Sequence, residues 1–133
     1  MASGLYDKGR EGFLDGTIDW DTDTIKVVMV DSADYTVALA THDFLDDVPV
    51  IARVGTAQTL ATKTVTAGVA DAADVTFTAV TGDSVEALVV YKDTGSEATS
   101  RLICYIDGFT AVTPNGGNIN VAWDNGANKI FKL

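Results

Sequence analysis

The sequence Val85-Glu-Ala-Leu-Val-Val-Tyr91 is the most hydrophobic predicted strand of the chain, and it is the strongest indication of the fold class. A polar loop over residues 95–100 follows it, and residues 101–107 return with a second apolar run. Two apolar segments joined by a short loop rich in Gly and Ser are typical of a β-hairpin. The pattern therefore predicts an antiparallel hairpin at the centre of a β-rich domain.

Further strands are predicted on both sides of this hairpin. β-Branched residues suit a pleated, half-buried surface, and Val, Thr and Ile number 16, 17 and 7 among 133 residues. The 16 Asp against 3 Glu favour turns over helices. Asn125-Gly126 predicts a type I′ turn between the last two strands. The predicted strands outside the hairpin cover residues 17–30, 54–60, 62–69, 74–80, 118–123 and 129–133.

About eight short strands with frequent turns predict a mostly-β chain, folded as a single antiparallel β-sandwich. A closed barrel stays open as the alternative. Helical spacing over residues 5–14 predicts a short N-terminal helix that Ser3 caps and that ends near Gly16. A further short helical or irregular segment is predicted at 37–45. The expected organisation is a helical segment, 1–16, that packs on the domain or on a neighbour, and a β-sandwich domain, 17–133.

Composition excludes several classes of function. Nine basic residues stand against 19 acidic ones, a net charge of -10, which argues against binding of nucleic acid or anionic membranes. No apolar run reaches the roughly 18 residues that a transmembrane helix needs. The first ten residues lack the apolar region of a signal peptide. One cysteine, Cys104, cannot form an internal disulfide, so a reducing cytosol is the expected site of synthesis.

Metal-binding patterns are weak. Asp19, Asp21 and Asp23 resemble the opening of a calcium loop, but Thr24 and Val30 stand where that loop requires Gly and Glu. The three carboxylates are expected on the solvated face of a strand. A second set of acidic residues is expected at the polar edge of a loop and comprises Asp43, Asp46 and Asp47. No metal or cofactor site is predicted.

Catalytic patterns are also missing from the sequence. His42 is the sole histidine and is expected at the surface or as a cap, and no G-x-S-x-G motif accompanies it. Cys104 lies in an apolar strand, where burial disfavours the reactive thiolate. Trp20 and Trp123 are expected as core or interface anchors, with a sugar-stacking role as the lesser alternative. The sequence therefore predicts no catalytic residue and a protein that is not an enzyme.

Three stretches carry a resemblance to a known family. Gly4-Leu-Tyr-Asp-Lys-Gly-Arg-Glu-Gly-Phe-Leu14, Val69-Ala-Asp-Ala-Ala-Asp-Val-Thr-Phe77 and Trp123-Asp-Asn-Gly-Ala-Asn-Lys-Ile-Phe-Lys-Leu133 resemble small structural proteins of tailed bacteriophages. Ile18-Asp-Trp-Asp21, Ile25-Lys-Val-Val-Met-Val-Asp31 and Val90-Tyr-Lys-Asp-Thr-Gly95 extend it over nearly the whole chain. The resemblance implies a virion component and, for a β-rich chain of this size, a capsid cement (decoration) protein with a jelly-roll-like sandwich fold. It transfers no functional residue.

The implied role is contact with the major capsid protein on the capsid surface, after assembly in the cytoplasm of a bacterial host. Self-association as a dimer or trimer is also expected. The candidate interface comprises Leu5, Tyr6, Phe13 and Leu14, which are many apolar groups for a short helix with four glycines nearby. These side chains contact either the shell or a neighbouring copy, or instead pack on their own domain. The alternatives for the whole protein are a tail or baseplate component and a carbohydrate- or receptor-binding module.

Overall fold

The structure is a computed structural model, and it describes residues 3–133. It contains ten short strands, one α-helix and two 3-10 turns. The helix α1 covers Asp7–Asp15, and the 3-10 turns cover Leu45–Asp47 and Val50–Ala52. The strands are β1 (Gly4–Leu5), β2 (Ile25–Val30), β3 (Arg53–Thr59), β4 (Thr64–Thr66), β5 (Val69–Asp71), β6 (Val75–Phe77), β7 (Ala87–Lys92), β8 (Leu102–Ile106), β9 (Ile119–Val121) and β10 (Phe131–Lys132).

The strands form three sheets, and every pair between them is antiparallel. The largest sheet has five strands in the order β1-β8-β7-β2-β3. A three-stranded sheet has the order β10-β5-β4, and a two-stranded sheet pairs β6 with β9. The predicted mostly-β, antiparallel class with an N-terminal helix is therefore confirmed.

The hairpin of β7 and β8 lies at the centre of the five-stranded sheet, as its apolar sequence predicts. Val89 pairs with Tyr105 and Val90 with Cys104, and both strands are buried along nearly their whole length. Alternate side chains point to opposite faces of a strand, so each face here requires its own cover. A continuous apolar run is the sequence pattern of such a doubly covered strand.

Two hydrophobic clusters cover the two faces of the central sheet. The first cluster joins side chains of the large sheet, such as Met29 and Ile106, to Ala70, Phe77 and Phe131 of the two smaller sheets. The second cluster packs Val28, Val89 and other side chains of the opposite face against the segment between β2 and β3. Tyr35, Leu45, Val48 and Ala52 are the buried side chains of that segment. The central sheet thus lies between a layer of short strands and a layer of irregular chain.

The predicted strand over residues 17–30 forms only from Ile25 onward, so this prediction is wrong for its first half. The Asp23 carboxylate accepts a hydrogen bond of 2.8 Å from the amide of Asp19, and the amide of Asp23 donates to the Asp19 carbonyl at 2.9 Å. Such local bonds stabilise turns in competition with strand pairing. Ile18 and Trp20 are nevertheless buried, so the apolar positions were identified correctly although the backbone turns.

The predicted hairpin at Asn125-Gly126 is also wrong. β9 pairs with β6 and β10 pairs with β5, so the last two strands are not neighbours. Neither Asn125 nor Gly126 has the positive φ that a type I′ turn requires at both positions. The Gly126 amide instead donates to the Asp124 carboxylate at 3.0 Å, which forms a local turn.

The helix lies close to its predicted place but begins differently. Tyr6 occupies the N-cap position without a side-chain hydrogen bond, so Ser3 is not the cap. The Ser3 hydroxyl instead accepts a hydrogen bond of 2.8 Å from the amide of Asp107, which lies 104 residues later in the sequence. Gly16 ends the helix in the left-handed conformation, with φ of 82°, as the sequence predicts.

The segment predicted as helical or irregular over residues 37–45 is irregular up to the first 3-10 turn. Pro49 separates the two 3-10 turns, because its fixed φ and missing N–H interrupt a helix. Within residues 3–133, no helix is long and apolar enough to cross a membrane.

Candidate interaction surfaces

An apolar groove lies between α1 and the strands β4, β5 and β10. It consists of two adjoining depressions that share Phe13 and Leu133, with Leu14 beside one and Val65 and Val69 beside the other, and we call the two together the α1 groove. Leu14 is 87% exposed, and Val65 and Leu133 are each 57% exposed. Single exposed aliphatic residues are ordinary, but several around one groove mark a surface that another molecule covers.

The floor of the α1 groove is rigid. The buried ring of Phe131 lies 5.2 Å from the Trp20 ring, edge-on, and 5.7 Å from the Phe13 ring, measured between centroids. The Trp20 indole N–H donates to the Asp71 carbonyl at 3.1 Å, which fixes the ring. Because its floor is held in this way, the groove exists before any partner arrives.

The structure separates the four candidate interface residues into two pairs. Leu5 and Tyr6 are 8% and 0% exposed and belong to the two cores of their own chain, so they offer no free surface. Phe13 is partly buried against the first core, and Leu14 points outward beside it. Of the four, only Phe13 and Leu14 therefore border the α1 groove. The groove is also bordered by Val65, Val69 and Leu133, which were not predicted to lie beside the helix.

The α1 groove has a basic end and an acidic end. Arg10 and Lys132 border the end next to Leu14, where Arg10 also pairs with Asp7 at 3.1 Å. Asp19 and Asp21 border the other end. A hydrogen bond between these two carboxyl groups lowers the pKa of Asp19 and raises the pKa of Asp21. Basic groups are scarce on this acidic chain, so the basic end is distinctive.

A second apolar feature lies in the 3-10 turn that precedes β3. Val50 and Ile51 are 69% and 70% exposed, and we call this pair the aliphatic tip. The turn is held by Arg53, whose guanidinium donates to the Leu45 carbonyl at 2.9 Å and to the Val48 carbonyl at 2.7 and 3.0 Å. This pair was not among the predicted interface residues, although two aliphatic residues directly after Pro49 were a usable signal.

Two groups of carboxylates come together among the described residues. Asp31, Asp34 and Asp83 form one, and Asp43, Asp46 and Asp47 form the other, each with oxygens within 4.8 Å of one another. Oxygen donors of this kind suit a hard cation such as Ca²⁺. The carboxylates already accept local bonds, however, from the Ala33 amide in the first group and from the Asp43 amide in the second.

The predicted roles of the acidic residues are met only in part. Asp43, Asp46 and Asp47 lie on one loop, as the sequence indicates, whereas no sequence pattern places Asp83 beside Asp31 and Asp34. The carboxylate of Asp23 forms an ion pair of 3.0 Å with Lys92 and also accepts the hydrogen bond from the Asp19 amide that stabilises the turn. In the Asp19-x-Asp21-x-Asp23 pattern, Asp23 therefore has a structural role.

Tyr6, Tyr35 and His42 form a hydrogen-bonded chain from the core to the surface. The hydroxyl oxygens of Tyr6 and Tyr35 lie 2.8 Å apart, and the Tyr35 oxygen lies 2.9 Å from Nδ1 of His42. Tyr6 is completely buried, and its burial raises the pKa of its hydroxyl far above the usual value. The Nδ1 of the sole histidine therefore contacts a tyrosine hydroxyl.

Stability is expected to fall in alkaline solution because of this buried hydroxyl. The Tyr6 hydroxyl ionises only when the chain unfolds, so its contribution is complete below the unfolded pKa of about 10 and decreases at higher pH. For Tyr6 alone the loss amounts to about 1.4 kcal/mol between about pH 9 and pH 11. Urea unfolding across this range measures it. Tyr6→Phe is expected to lose less stability per pH unit, and an unchanged slope would contradict the assignment.

The remaining reactive side chains are shielded. Cys104 is completely buried, and burial raises the pKa of its thiol to about 12, so the thiolate is not formed near neutral pH. Trp20 and Trp123 are each 4% exposed and donate their indole N–H groups to the carbonyls of Asp71 and Ala73. Neither indole ring offers a free face to a sugar.

Comparisons with known proteins add no family to these observations. No protein-family model matches the chain, and no curated protein matches it either. The α1 groove and the aliphatic tip are therefore the features from which a function can be inferred.

Proposed function

We propose that the chain is a non-enzymatic structural protein of a bacteriophage virion, most specifically a cement protein on the capsid surface. The observation that carries this proposal is the preformed α1 groove, with three exposed aliphatic side chains on a strongly acidic protein. A net charge of -10 opposes non-specific association, so an exposed apolar groove on this chain favours a specific partner. The major capsid protein is the proposed partner, and assembly takes place in the cytoplasm of the bacterial host.

A jelly-roll sandwich is the proposed fold for this role. The first hydrophobic cluster supports the sandwich, because side chains of the five-stranded sheet and of both smaller sheets meet in one core. The antiparallel pairing of every strand is also in keeping with it. A rigid sandwich suits a protein that acts through its shape, since its surfaces keep their relative positions when they bind.

The proposed mechanism is linkage between binding and assembly. A protein that binds the assembled shell but not the separate subunits stabilises the shell by mass action. Contacts across the boundaries between subunits have this selectivity, because the complete binding surface exists only in the lattice. Many copies of weak affinity can then stabilise a large particle.

A tail or baseplate component is the second candidate, because the α1 groove suits any protein lattice of the virion. Location distinguishes the two, since a cement protein remains with heads and a tail protein with tails when particles are taken apart. A carbohydrate-binding role lacks support, because Trp20 and Trp123 have no exposed ring face.

The test is co-sedimentation of the purified protein with empty shells assembled from the major capsid protein of the same phage. Wild-type protein is expected to bind in a saturable way. Leu14→Asp is expected to weaken binding about tenfold or more, because it places a charge in the α1 groove. Ala111→Asp is the matched control, since it adds the same charge at an exposed position outside the groove and is expected to bind normally.

Folded wild-type protein that fails to bind the shells would overturn the cement role. Recovery with purified tails would then support the second candidate. Equal shell binding by Leu14→Asp and Ala111→Asp would show that the α1 groove takes no part in the contact.

A further inference from the structure

Deepening the proposed function, on which this inference rests, we propose that copies of the chain on the shell join one another through the α1 groove, which receives the aliphatic tip of a second copy. Copies would then join head to tail, with Val50 and Ile51 of each seated against Phe13, Leu14 and Leu133 of the next. The occupant of the groove is therefore a named segment of the same chain. Four observations lead to this assignment.

The two surfaces are complementary in shape. The aliphatic tip is convex and presents two neighbouring large side chains, each about 70% exposed. The α1 groove is concave, with an opening of about 430 Å³ at the end that Leu14 and Leu133 border. A convex apolar pair is expected to bind a concave apolar site, because the contact removes both from water.

The charges beside the two surfaces are complementary as well. Asp43, Asp46 and Asp47 lie in the loop just before the tip, and Asp46 is exposed. Arg10 and Lys132 lie at the end of the groove beside Leu14. Among residues 3–133, Lys132 forms no ion pair with another side chain, so its charge is available to a partner. Opposite charges around an apolar contact favour correct orientation.

Both surfaces are rigid, so little ordering is needed on contact. Arg53 fixes the tip through three hydrogen bonds to the Leu45 and Val48 carbonyls, and its guanidinium also pairs with Glu97. The rings of Phe131 and Trp20 fix the floor of the groove. Surfaces that are already ordered lose less conformational entropy on binding.

The two surfaces lie on opposite sides of the chain, which makes the contact intermolecular. The tip leads directly into β3, the strand at one edge of the large sheet, and Ala52, which follows the tip, packs in the second core. The helix α1 packs on β8 near the other edge, and its Phe13 faces the first core. One copy cannot fill its own groove, and a head-to-tail contact either closes into a ring or continues as a chain.

Two symmetric alternatives fit less well. A tip-to-tip contact would place one group of three carboxylates against another, which is electrostatically unfavourable. A groove-to-groove contact would place two concave surfaces together and leave both unfilled. The head-to-tail arrangement avoids both problems.

The experiment is a complementation test by analytical ultracentrifugation, without any shell protein. Wild-type protein is expected to self-associate as its concentration is raised. Ile51→Asp, which disables the tip, and Leu14→Asp, which disables the groove, are each expected to weaken association about tenfold or more. An equimolar mixture of the two variants retains one intact tip and one intact groove. The mixture is therefore expected to form a dimer and nothing larger.

The charged part of the contact is tested at Lys132. Lys132→Glu is expected to weaken self-association, whereas Lys132→Arg is expected to retain it, because it keeps the positive charge. Ala111→Asp is again the matched control for added charge and is expected to associate like the wild type. Thermal unfolding of each variant shows that the fold is kept, since all these positions are exposed.

A wild-type protein that stays monomeric up to its solubility limit overturns the proposal. So does a mixture that stays monomeric while the wild type associates, because the contact would then not join tip to groove. Both results leave co-sedimentation with shells unaffected, so failure of the head-to-tail contact and failure of the cement role are distinguishable.

Discussion

Replacing Gly9 with alanine is expected to destabilise the protein by about 2 to 3 kcal/mol, although alanine favours helices over glycine by about 1 kcal/mol. An added Cβ at position 9 would lie 2.7 Å from the Leu102 carbonyl oxygen and 2.9 Å from that of Ile103. Both atoms belong to the backbone of β8 and cannot rotate away. The helix would have to move off the sheet to accommodate the methyl group. Urea unfolding measures the change.

Gly12→Ala is the matched control, since it adds the same methyl group to the same helix three residues later. The Cβ at position 12 would meet Cδ1 and Cγ1 of the buried Ile18 side chain at 2.5 and 2.8 Å, and a side chain, unlike the backbone of a strand, can shift by changing its rotamer. This variant is expected to lose less stability than Gly9→Ala. Equal effects of the two substitutions would mean that contact with the β8 backbone is not the cause.

The close approach at Gly9 also matters for the proposed function. It sets the distance between α1 and β8, and this distance positions Phe13 and Leu14 at the α1 groove. A helix displaced by Gly9→Ala would open or distort the groove. We therefore expect this variant to lose self-association as well as stability, whereas Leu14→Asp loses self-association alone.

The central sheet was predictable because its sequence signal is local. Each apolar run between residues 85 and 106 predicts a strand that is buried on both faces, and this prediction does not depend on which elements pack against it. The two runs form the buried strands β7 and β8. The N-terminal helix was predictable for the same reason, since the helical spacing of its apolar residues and the Gly16 that ends it lie close together in the sequence. The turn over residues 17–24 was not predictable, because a side-chain hydrogen bond of Asp23 replaces strand pairing there.

The partners of the short strands could not be derived from the sequence. β9 and β10 follow each other with a turn signal between them, yet each pairs with an earlier strand. That choice depends on the first core, where Trp123 and Phe131 pack with side chains from distant parts of the chain. Packing of this kind is not encoded within a window of neighbouring residues.

The candidate site was predictable in part for a related reason. Counting apolar residues near the helix selected Phe13 and Leu14, which border the α1 groove, but it also selected Leu5 and Tyr6, which are buried. An apolar residue that packs on its own domain has the same sequence signature as one that awaits a partner. Val65 and Leu133 could be joined to the helix only by the fold, because β10 and β5 bring them beside it.

Phe131→Ala is expected to cost about 3 to 5 kcal/mol, a large part of the roughly 5–15 kcal/mol that stabilises an ordinary domain. The Phe131 ring is 4% exposed, and its removal would leave a cavity between Phe13 and Trp20. The backbone of β10 cannot move inward to fill that cavity without breaking its pairing with β5. Thermal and urea unfolding measure the loss, and Trp20 fluorescence reports the change at the ring itself.

Leu133→Ala is the control, because it also removes a large apolar side chain near β10 but at a position that is 57% exposed. Its expected effect on stability is within about 0.5 kcal/mol. The two variants should nevertheless both weaken self-association, since Phe131 forms the floor of the α1 groove and Leu133 its rim. A Phe131→Ala protein that unfolds like the wild type would show that the ring is not a core residue. A Leu133→Ala protein that associates normally would place the contact elsewhere.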